Sequence, residues 1–306
     1  MQLNRYSSNF FDAACIVPVR ARPELLAQAV ISILKGSTLP REIILVLDGT
    51  EEERAADQNG VKQITHRAEA ASVRLRVLET PAVGPATARN TAVRATEMPW
   101  LTFLDSDDLW ETRKLEMQSA YMRKRPHLLA CQTGESWMKN DKPVHRPRKL
   151  TPHTGRFLRD AVHSCLLSLS AFMIRRDAFL DVGMFDSDFA LCEDFDFSLR
   201  FLRSHAIGYL EEDLVEKRSG SWKQLSQTPA IDAYRVRALC KLLGDHGRAG
   251  EGPGSIAERE RSEAIRSLTH KVAILEKGQE KFGQSAFVQN AIREGRAVLS
   301  LFSDDR

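Results

Sequence analysis

Three carboxylates, Asp105, Asp107 and Asp108, fall within four positions, directly after the apolar run 100–104 (WLTFL). Acids this close repel one another unless a cation sits among them. An oxygen-only donor set suits a hard divalent ion, Mg²⁺ or Mn²⁺, that also grips a phosphate. The same residues suit a helix N-cap, because Asp and Ser satisfy the free N–H groups of a helix that could begin near Glu111. A second acidic group, Glu193, Asp194 and Asp196, precedes Phe197, Phe201 and Leu202, whose spacing is helical. A helix N-terminus favours acids and holds a carboxylate ionised, as a general base requires. Asp194 and Asp196 leave such a helix on different sides, so only one of them can face a metal crevice.

The elements that must position these groups follow from periodicity. Residues 13–19, 42–47, 73–78 and 100–104 read as buried strands. Residues 23–35, 50–69, 85–96 and 111–124 read as the helices between and after them, with Pro23 at a first turn, Gly36 closing the first helix and Gly84 leading into the third. This βαβαβαβ order predicts an α/β fold: a Rossmann-like, mixed but mostly parallel sheet flanked by helices. Right-handed crossovers put the ends of the first, second and fourth strands at one edge. Asp48, Asp105 and Asp107 should then share a crevice there.

Beyond residue 124 the pattern loosens. Residues 134–160 hold prolines and charges without a clear period. Residues 163–174 read as a buried strand, 176–182 as a short helix ending at Gly183, 193–204 as a helix, 207–210 as a short strand and 230–243 as an amphipathic helix. Residues 244–255 contain five glycines and a proline and read as a flexible linker. Residues 256–306 read as a helical C-terminal extension. Ala264, Leu268, Val272 and Leu275 form one apolar stripe, Val288 and Ile292 another, to pack on the core or on a second subunit as a homodimer.

The chain has 306 residues and a net charge of +3, which gives no case for nucleic acid as a partner. Five scattered cysteines, an odd number without close pairs or zinc spacing, predict reduced thiols and a cytoplasmic protein. Asp12 and Arg20 bracket only a short apolar run, so no secretory signal is expected. No uninterrupted apolar stretch reaches membrane-spanning length, so a membrane-bound acceptor would be met peripherally. The basic run 139–149 (KNDKPVHRPRK) reads as a solvated loop or as one that meets an anionic substrate.

Five segments, in order from about residue 13 to 226, together resemble the family 2 glycosyltransferases of the GT-A fold. They are CIVPVRARPE from Cys15 to Glu24, LVLDGT from Leu45 to Thr50, GPATARN from Gly84 to Asn90, FLDSDD from Phe103 to Asp108 and EDFD from Glu193 to Asp196. The fourth resembles that family's DxD motif and the fifth its ED-x-D motif. The resemblance implies an inverting transfer of a sugar from a nucleotide-sugar, UDP-linked by preference, to the hydroxyl of a glycan, a lipid-linked or another acceptor. Asp48 would bond the uracil, Arg89 the nucleotide or its phosphates, and Asp105 the ribose or sugar. Pro18, Val19, Arg20, Glu24 and Ser106 would help line the donor site. Asp107, with Asp105, would hold Mn²⁺ or Mg²⁺. Asp194 would deprotonate the acceptor, with Glu193 and Asp196 in the same catalytic group.

The sequence departs from the family pattern at several places. Leu47 stands where many members carry a first Asp, and Arg20 where an aromatic often flanks the base. Ser221 or Trp222 replaces a loop histidine, which removes an expected third metal ligand and offers Trp222 to the sugar. By this reading 1–243 is the catalytic domain, with a nucleotide-sugar-binding half 1–110 and an acceptor-binding half 111–243. Two other readings compete: a non-catalytic nucleotide-sugar-binding protein, and a sugar-1-phosphate nucleotidyltransferase, whose Gly-rich first loop is missing from residues 19–24.

Overall fold

A computed structural model of the chain describes residues 10–147, 150–222, 224, 228–229, 231–244, 256–282 and 285–302. The continuous apolar runs form the middle of the sheet. Strand β1 (Phe10–Val19) pairs in parallel with β2 (Leu39–Asp48) and with β4 (Trp100–Phe103), and β2 pairs in parallel with β3 (Arg74–Thr80). Helices α1 (Pro23–Leu34), α2 (Glu51–Ala70) and α3 (Pro85–Arg94) make the crossovers. Alternate residues of the central strands face opposite layers. Cys15, Val17, Ile43 and Leu45 pack with α1 and α2, while Ala14, Ile16, Ile44 and Val46 pack with α3 on the other side. Thr50 caps α2 in a reciprocal box with Glu53. A Cβ on Gly60 would lie 2.4 Å from the Pro23 carbonyl oxygen, so glycine lets α2 press against the start of α1.

The second half is built differently. The strand order is β3-β2-β1-β4-β8-β6-β9-β5. Strand β8 (Phe172–Arg175) runs antiparallel to β4 and to β6 (Ala130–Lys139). Strand β7 (Lys142–Val144) forms a hairpin with β6, within the stretch that shows no period in the sequence. The expectation of an irregular 134–160 is therefore corrected. Gly134 interrupts the alternation because β6 shifts register there against β9. Strand β9 covers Ile207–Ser219, thirteen residues rather than four. Its exposed Glu211, Glu212 and Asp213 hide the continuation.

Residues 163–174 are not one strand. They begin exposed at His163, continue as mostly buried irregular chain from Leu166 and a 3₁₀ turn at Leu169–Ala171, and only the end pairs, as β8. The two-residue β5 (Leu109–Trp110) pairs with β9 and delays helix α4 to Lys114–Arg123.

Helices α5 (Leu158–Ala161), α6 (Arg176–Asp181) and α7 (Glu193–Leu202) cover the β4 and β8 side. A cluster of phenylalanines fixes α7 there: Phe179 to Phe185 at 5.0 Å, Phe185 to Phe197 at 5.3 Å and Phe103 to Phe185 at 5.7 Å between ring centroids. Each such contact adds about 0.5–1.5 kcal/mol beyond burial. Helices α8 (Asp232–Gly244), α9 (Glu258–Phe282) and α10 (Ala286–Ser300) close the layer. The stripe residues Ala264, Leu268, Val272, Leu275, Val288 and Ile292 join the same core as Phe195 and Phe197. Most of the expected linker, 245–255, lies outside the described residues.

Candidate active site

Strands β1, β2 and β4 are parallel, so their carboxyl ends share an edge, where α/β folds collect ligands. The Leu104 N–H still donates to Ile16, at 3.0 Å; the chain then turns, with the Asp108 N–H on the Asp105 carbonyl at 3.0 Å. These acids cap no helix. Helix α4 starts further on, with Arg113 at its N-cap and no side-chain cap.

Ser170, in the 3₁₀ turn, shapes the acidic turn. Its hydroxyl accepts the Asp105 N–H at 3.1 Å and donates to Asp108 Oδ2 at 2.6 Å. Asp108 Oδ1 accepts the Arg218 N–H at 3.0 Å. Burial pushes the Asp108 carboxyl up to about 7.

Asp107 is less buried and points to the loops. Its Oδ2 accepts from Arg22 at 2.8 Å and from the Trp222 indole N–H at 2.9 Å. The backbone that carries Arg22 is held by Asp57 of α2. Asp57 accepts the Ala21 and Arg22 N–H groups at 2.8 and 2.7 Å, and Ala21 takes a left-handed φ of 51°.

Arg89 joins the two acidic groups. Its guanidinium donates to Asp105 Oδ1 at 2.7 Å and to Glu193 Oε1 at 2.5 Å. Burial opposes its charge, but Asp105 and Glu193 raise its pKa above the usual arginine value. Burial also pushes Glu193 up to about 7, against the pull of Arg89. Burial would raise Asp105 as well, but Arg89 and then Lys217 hold it below the usual carboxylate range.

Two contacts place Arg89. Asp48 accepts from the Thr80 hydroxyl at 2.8 Å and from the Val83 and Gly84 N–H groups at 2.8 and 3.0 Å, fixing the turn into α3. Gly84, at φ 88°, is the N-cap of that helix. Asn90, the next residue along, donates to the Phe185 carbonyl at 2.7 Å and accepts the Phe185 N–H at 3.2 Å, tying α3 to the turn before α7.

Helix α7 begins after Cys192, whose φ of 62° is left-handed. Asp194 is half-buried and accepts the Phe195 N–H at 2.7 Å. Asp196 faces away from the crevice. It pairs with Arg200 at 2.8 Å and with Lys241 of α8 at 3.3 Å.

The structure thus brings Asp105, Asp107, Arg89, Glu193 and Trp222 into one contact network, with Ser106 buried beside it. Pro18 and Val19 end β1 at the same edge. Arg20 is exposed and paired with Glu53 at 3.1 Å, and Glu24 is exposed in the first turn of α1.

Arg22, Asp57, Ser170, Lys217 and Arg218 complete the site without standing out as site residues in the sequence. Lys217 Nζ lies 3.6 Å from Asp108 and 4.0 Å from Asp105. The pair Lys217-Arg218 opens segment 217–226, which resembles a flexible loop of the family, but only Ser221 and Trp222 of that segment were given roles from the sequence. Asp57 sits amid other charges in α2 and gave no signal. Among the described residues no three His, Cys, Asp or Glu side chains gather to hold a metal ion. No described helix is long and apolar enough to cross a membrane.

A sheet of this order, with helices on both faces and acids at its carboxyl edge, is the GT-A glycosyltransferase architecture. TarS 1-349 of S. aureus in complex with UDP-GlcNAc superposes with a TM-score of 0.61 at 15% identity, covering 97% of this chain and 93% of that one. Mannosyltransferase PcManGT from Pyrobaculum calidifontis, in complex with GDP-Man and Mn²⁺, gives 0.54 at 16% identity, covering 96% and 88%. These likenesses are of fold. The Glycosyl transferase family 2 model matches residues 14–183, more than half of the chain. The chain therefore belongs to glycosyl transferase family 2.

The putative teichuronic acid biosynthesis glycosyltransferase TuaG of Bacillus subtilis is 30% identical over 169 residues, 53% of this chain and 61% of the relative. The uncharacterized glycosyltransferase EpsJ of the same organism is 24% identical over 251 residues, 77% and 70% of the two chains.

Proposed function

We propose that the chain is an inverting glycosyltransferase that moves a sugar from a nucleotide-sugar, UDP-linked by preference, to an acceptor hydroxyl. The observation that carries this reading is the Arg89 guanidinium, which holds Asp105 at the β4 edge and Glu193 beside Asp194. It sets the donor-side acids against the one carboxylate of α7 that is not spent on a structural ion pair. The complex of TarS with UDP-GlcNAc supports a nucleotide-sugar donor.

In this scheme Pro18, Val19, Arg20, Glu24, Asp48 and Ser106 line the nucleotide side. Arg89 and Asp105 orient the sugar and its phosphates, and Trp222 closes over the pocket from β9. The acceptor oxygen attacks the anomeric carbon and forms the new C–O bond. The bond to the diphosphate breaks on the opposite face, and its electron pair leaves with the nucleoside diphosphate. Asp194 takes the acceptor's proton. One displacement inverts the anomeric centre, by the logic that governs inverting glycosidases. Glu193 acts by fixing Arg89, and Asp196 by fixing α7.

Asp107 and Asp105 fit a divalent ion of the Mg²⁺ or Mn²⁺ kind. Such ions are held by one or two carboxylates plus substrate phosphates, so the donor's diphosphate would supply ligands that the protein does not. Bound there, the ion would offset charge on the leaving diphosphate. The complex of PcManGT with GDP-Man and Mn²⁺ supports that use. All five cysteines are free, which supports a cytoplasmic enzyme.

Release of nucleoside diphosphate from UDP-, GDP- and dTDP-sugars with Mn²⁺ tests the reading. Asp107→Ala should lose donor binding. Asp194→Asn should keep binding and lose about 10²–10⁴ in turnover. Retained anomeric configuration by NMR would refute inversion. No turnover by wild type with any donor would favour the binding-protein reading.

A further inference from the structure

We propose that Lys217 is a donor-binding residue, whose ammonium meets the diphosphate of the nucleotide-sugar and takes up charge as the nucleoside diphosphate leaves. This rests on the transferase reading above and gives a role to the first residue of segment 217–226, which resembles a flexible loop of the family and to whose first lysine the sequence assigned none.

The cations of the site are not equivalent. Arg89 is spent on two carboxylates at 2.7 and 2.5 Å. Arg22 is bonded to Asp107 at 2.8 Å. Arg218 donates to the Asp107 carbonyl and to Gln28, both at 2.6 Å. Arg89 Nε and Arg218 Nη2 also lack partners among the described residues, but each of those guanidinium groups is anchored by two hydrogen bonds, whereas the Lys217 ammonium is held by ion pairs only. Its ion pairs with Asp108 and Asp105 are 3.6 and 4.0 Å long, beyond the span of a charge-assisted hydrogen bond. Its ammonium makes no hydrogen bond among the described residues, and its side chain is 33% exposed. An ammonium has three donors and no acceptor. Lys217 therefore keeps its donors uncommitted at the carboxyl edge of β4, within 4.0 Å of Asp105.

Its position is fixed from both sides. Strand β9 pairs Lys217 with Trp137 of β6, and the Arg218 N–H is anchored on Asp108 at 3.0 Å. Asp108 does not need the ammonium for hydrogen bonding, since Ser170 and that N–H already serve its two oxygens. Burial opposes charge on Lys217, but Asp108, Glu135, Asp105 and Asp107 together hold it above the ordinary lysine range. In the transfer step no proton passes to or from it. The electron pair of the breaking bond goes to the diphosphate oxygen, and the ammonium offsets that charge through space and through N–H donation.

The test compares wild type, Lys217→Met, Lys217→Arg and the charge-balanced Asp108→Asn/Lys217→Met. Calorimetry measures UDP, GDP and dTDP, each with Mn²⁺ and with EDTA, and saturation-transfer NMR follows the matching nucleoside. For the diphosphate that wild type binds, Lys217→Met should weaken affinity at least tenfold in both media and leave the nucleoside unchanged. Lys217→Arg should recover most of the loss. The double variant should match Lys217→Met, which separates lost phosphate contact from lost folding. Unchanged diphosphate affinity in Lys217→Met, or equal losses for nucleoside and diphosphate, overturns the role of Lys217 and leaves the transferase reading intact. If wild type binds none of the diphosphates, both fall.

Discussion

From β3 to β4 every strand pairing is parallel and β1, β2 and β3 are each followed by a helix, whereas from β8 to β5 the sheet is stitched from distant segments, with antiparallel pairings around one long parallel pairing of β6 with β9. The first half fixes its polar groups through the backbone. Asp48 and Asp57 each accept main-chain N–H groups and so set the turn before α3 and the loop before α1. The second half adds side-chain clamps. Asp196 is held by Arg200 and Lys241, and Asp108 by the Ser170 hydroxyl as well as by the Arg218 N–H. A trace fixed by main-chain contacts tolerates changes in its outward side chains, whereas a trace held by side-chain pairs changes with each substitution.

Arg89 is the joint between the halves, and breaking it should have the largest effect. Arg89→Met leaves Asp105 and Glu193 without their shared cation. It should lower stability by about 3–5 kcal/mol in urea unfolding and abolish activity. Adding Glu193→Gln should restore part of the stability and none of the activity. A fully stable Arg89→Met would mean that the two halves do not lean on each other there.

A second measurement probes the side-chain logic of the later half. Lys114 is fully buried, with its ammonium 2.6 Å from Gln118 Oε1 and 3.9 Å from the centre of the Trp110 ring. Burial pushes its pKa down to about 7 from 10.5. Between those values the unfolded chain binds a proton that the folded one does not, so stability rises with pH. Relative to Lys114→Met, wild type should gain up to about 1.4 kcal/mol per pH unit from pH 7.5 to 10, followed by denaturant titration. A constant difference across that range would show the lysine to be charged throughout.

The smallest effect concerns the reach of β9 across to the first half. Trp222→Phe keeps an aromatic face but removes the N–H donated to Asp107. The loss of about 1 kcal/mol should raise the donor KM roughly fivefold with kcat little changed. An unchanged KM would mean that the indole contact contributes nothing to donor binding.

The same contrast explains what could be read from the sequence. Strands β1, β2 and β4 were legible because burial on both faces writes a continuous apolar run, the edge strand β3 because Leu75, Val77 and Leu78 stand out among its charges, and the helices because Pro23, Thr50 and Gly84 mark the starts. The acids at 105–108 and 193–196 were legible by spacing. Strand β6 was not, because Gly134 marks a register shift rather than a turn. Strand β9 was not, because Glu211, Glu212 and Asp213 break its alternation while the ladder continues. The stretch 163–174 misled in the other direction, since burial without a ladder looks the same as burial within one. Ser170 and Lys217 belong to these illegible segments, so the contacts that complete the site were hidden with them.

Asp57 carries a consequence for how such a chain diversifies. One carboxylate from a neighbouring helix dictates the path of residues 21–22, so the loop does not have to encode its own shape. Its outward side chains, Arg20 among them, can change without altering the trace, while the guanidinium of Arg22 stays aimed at Asp107. Inheritance of the trace is thereby uncoupled from inheritance of the outward side chains.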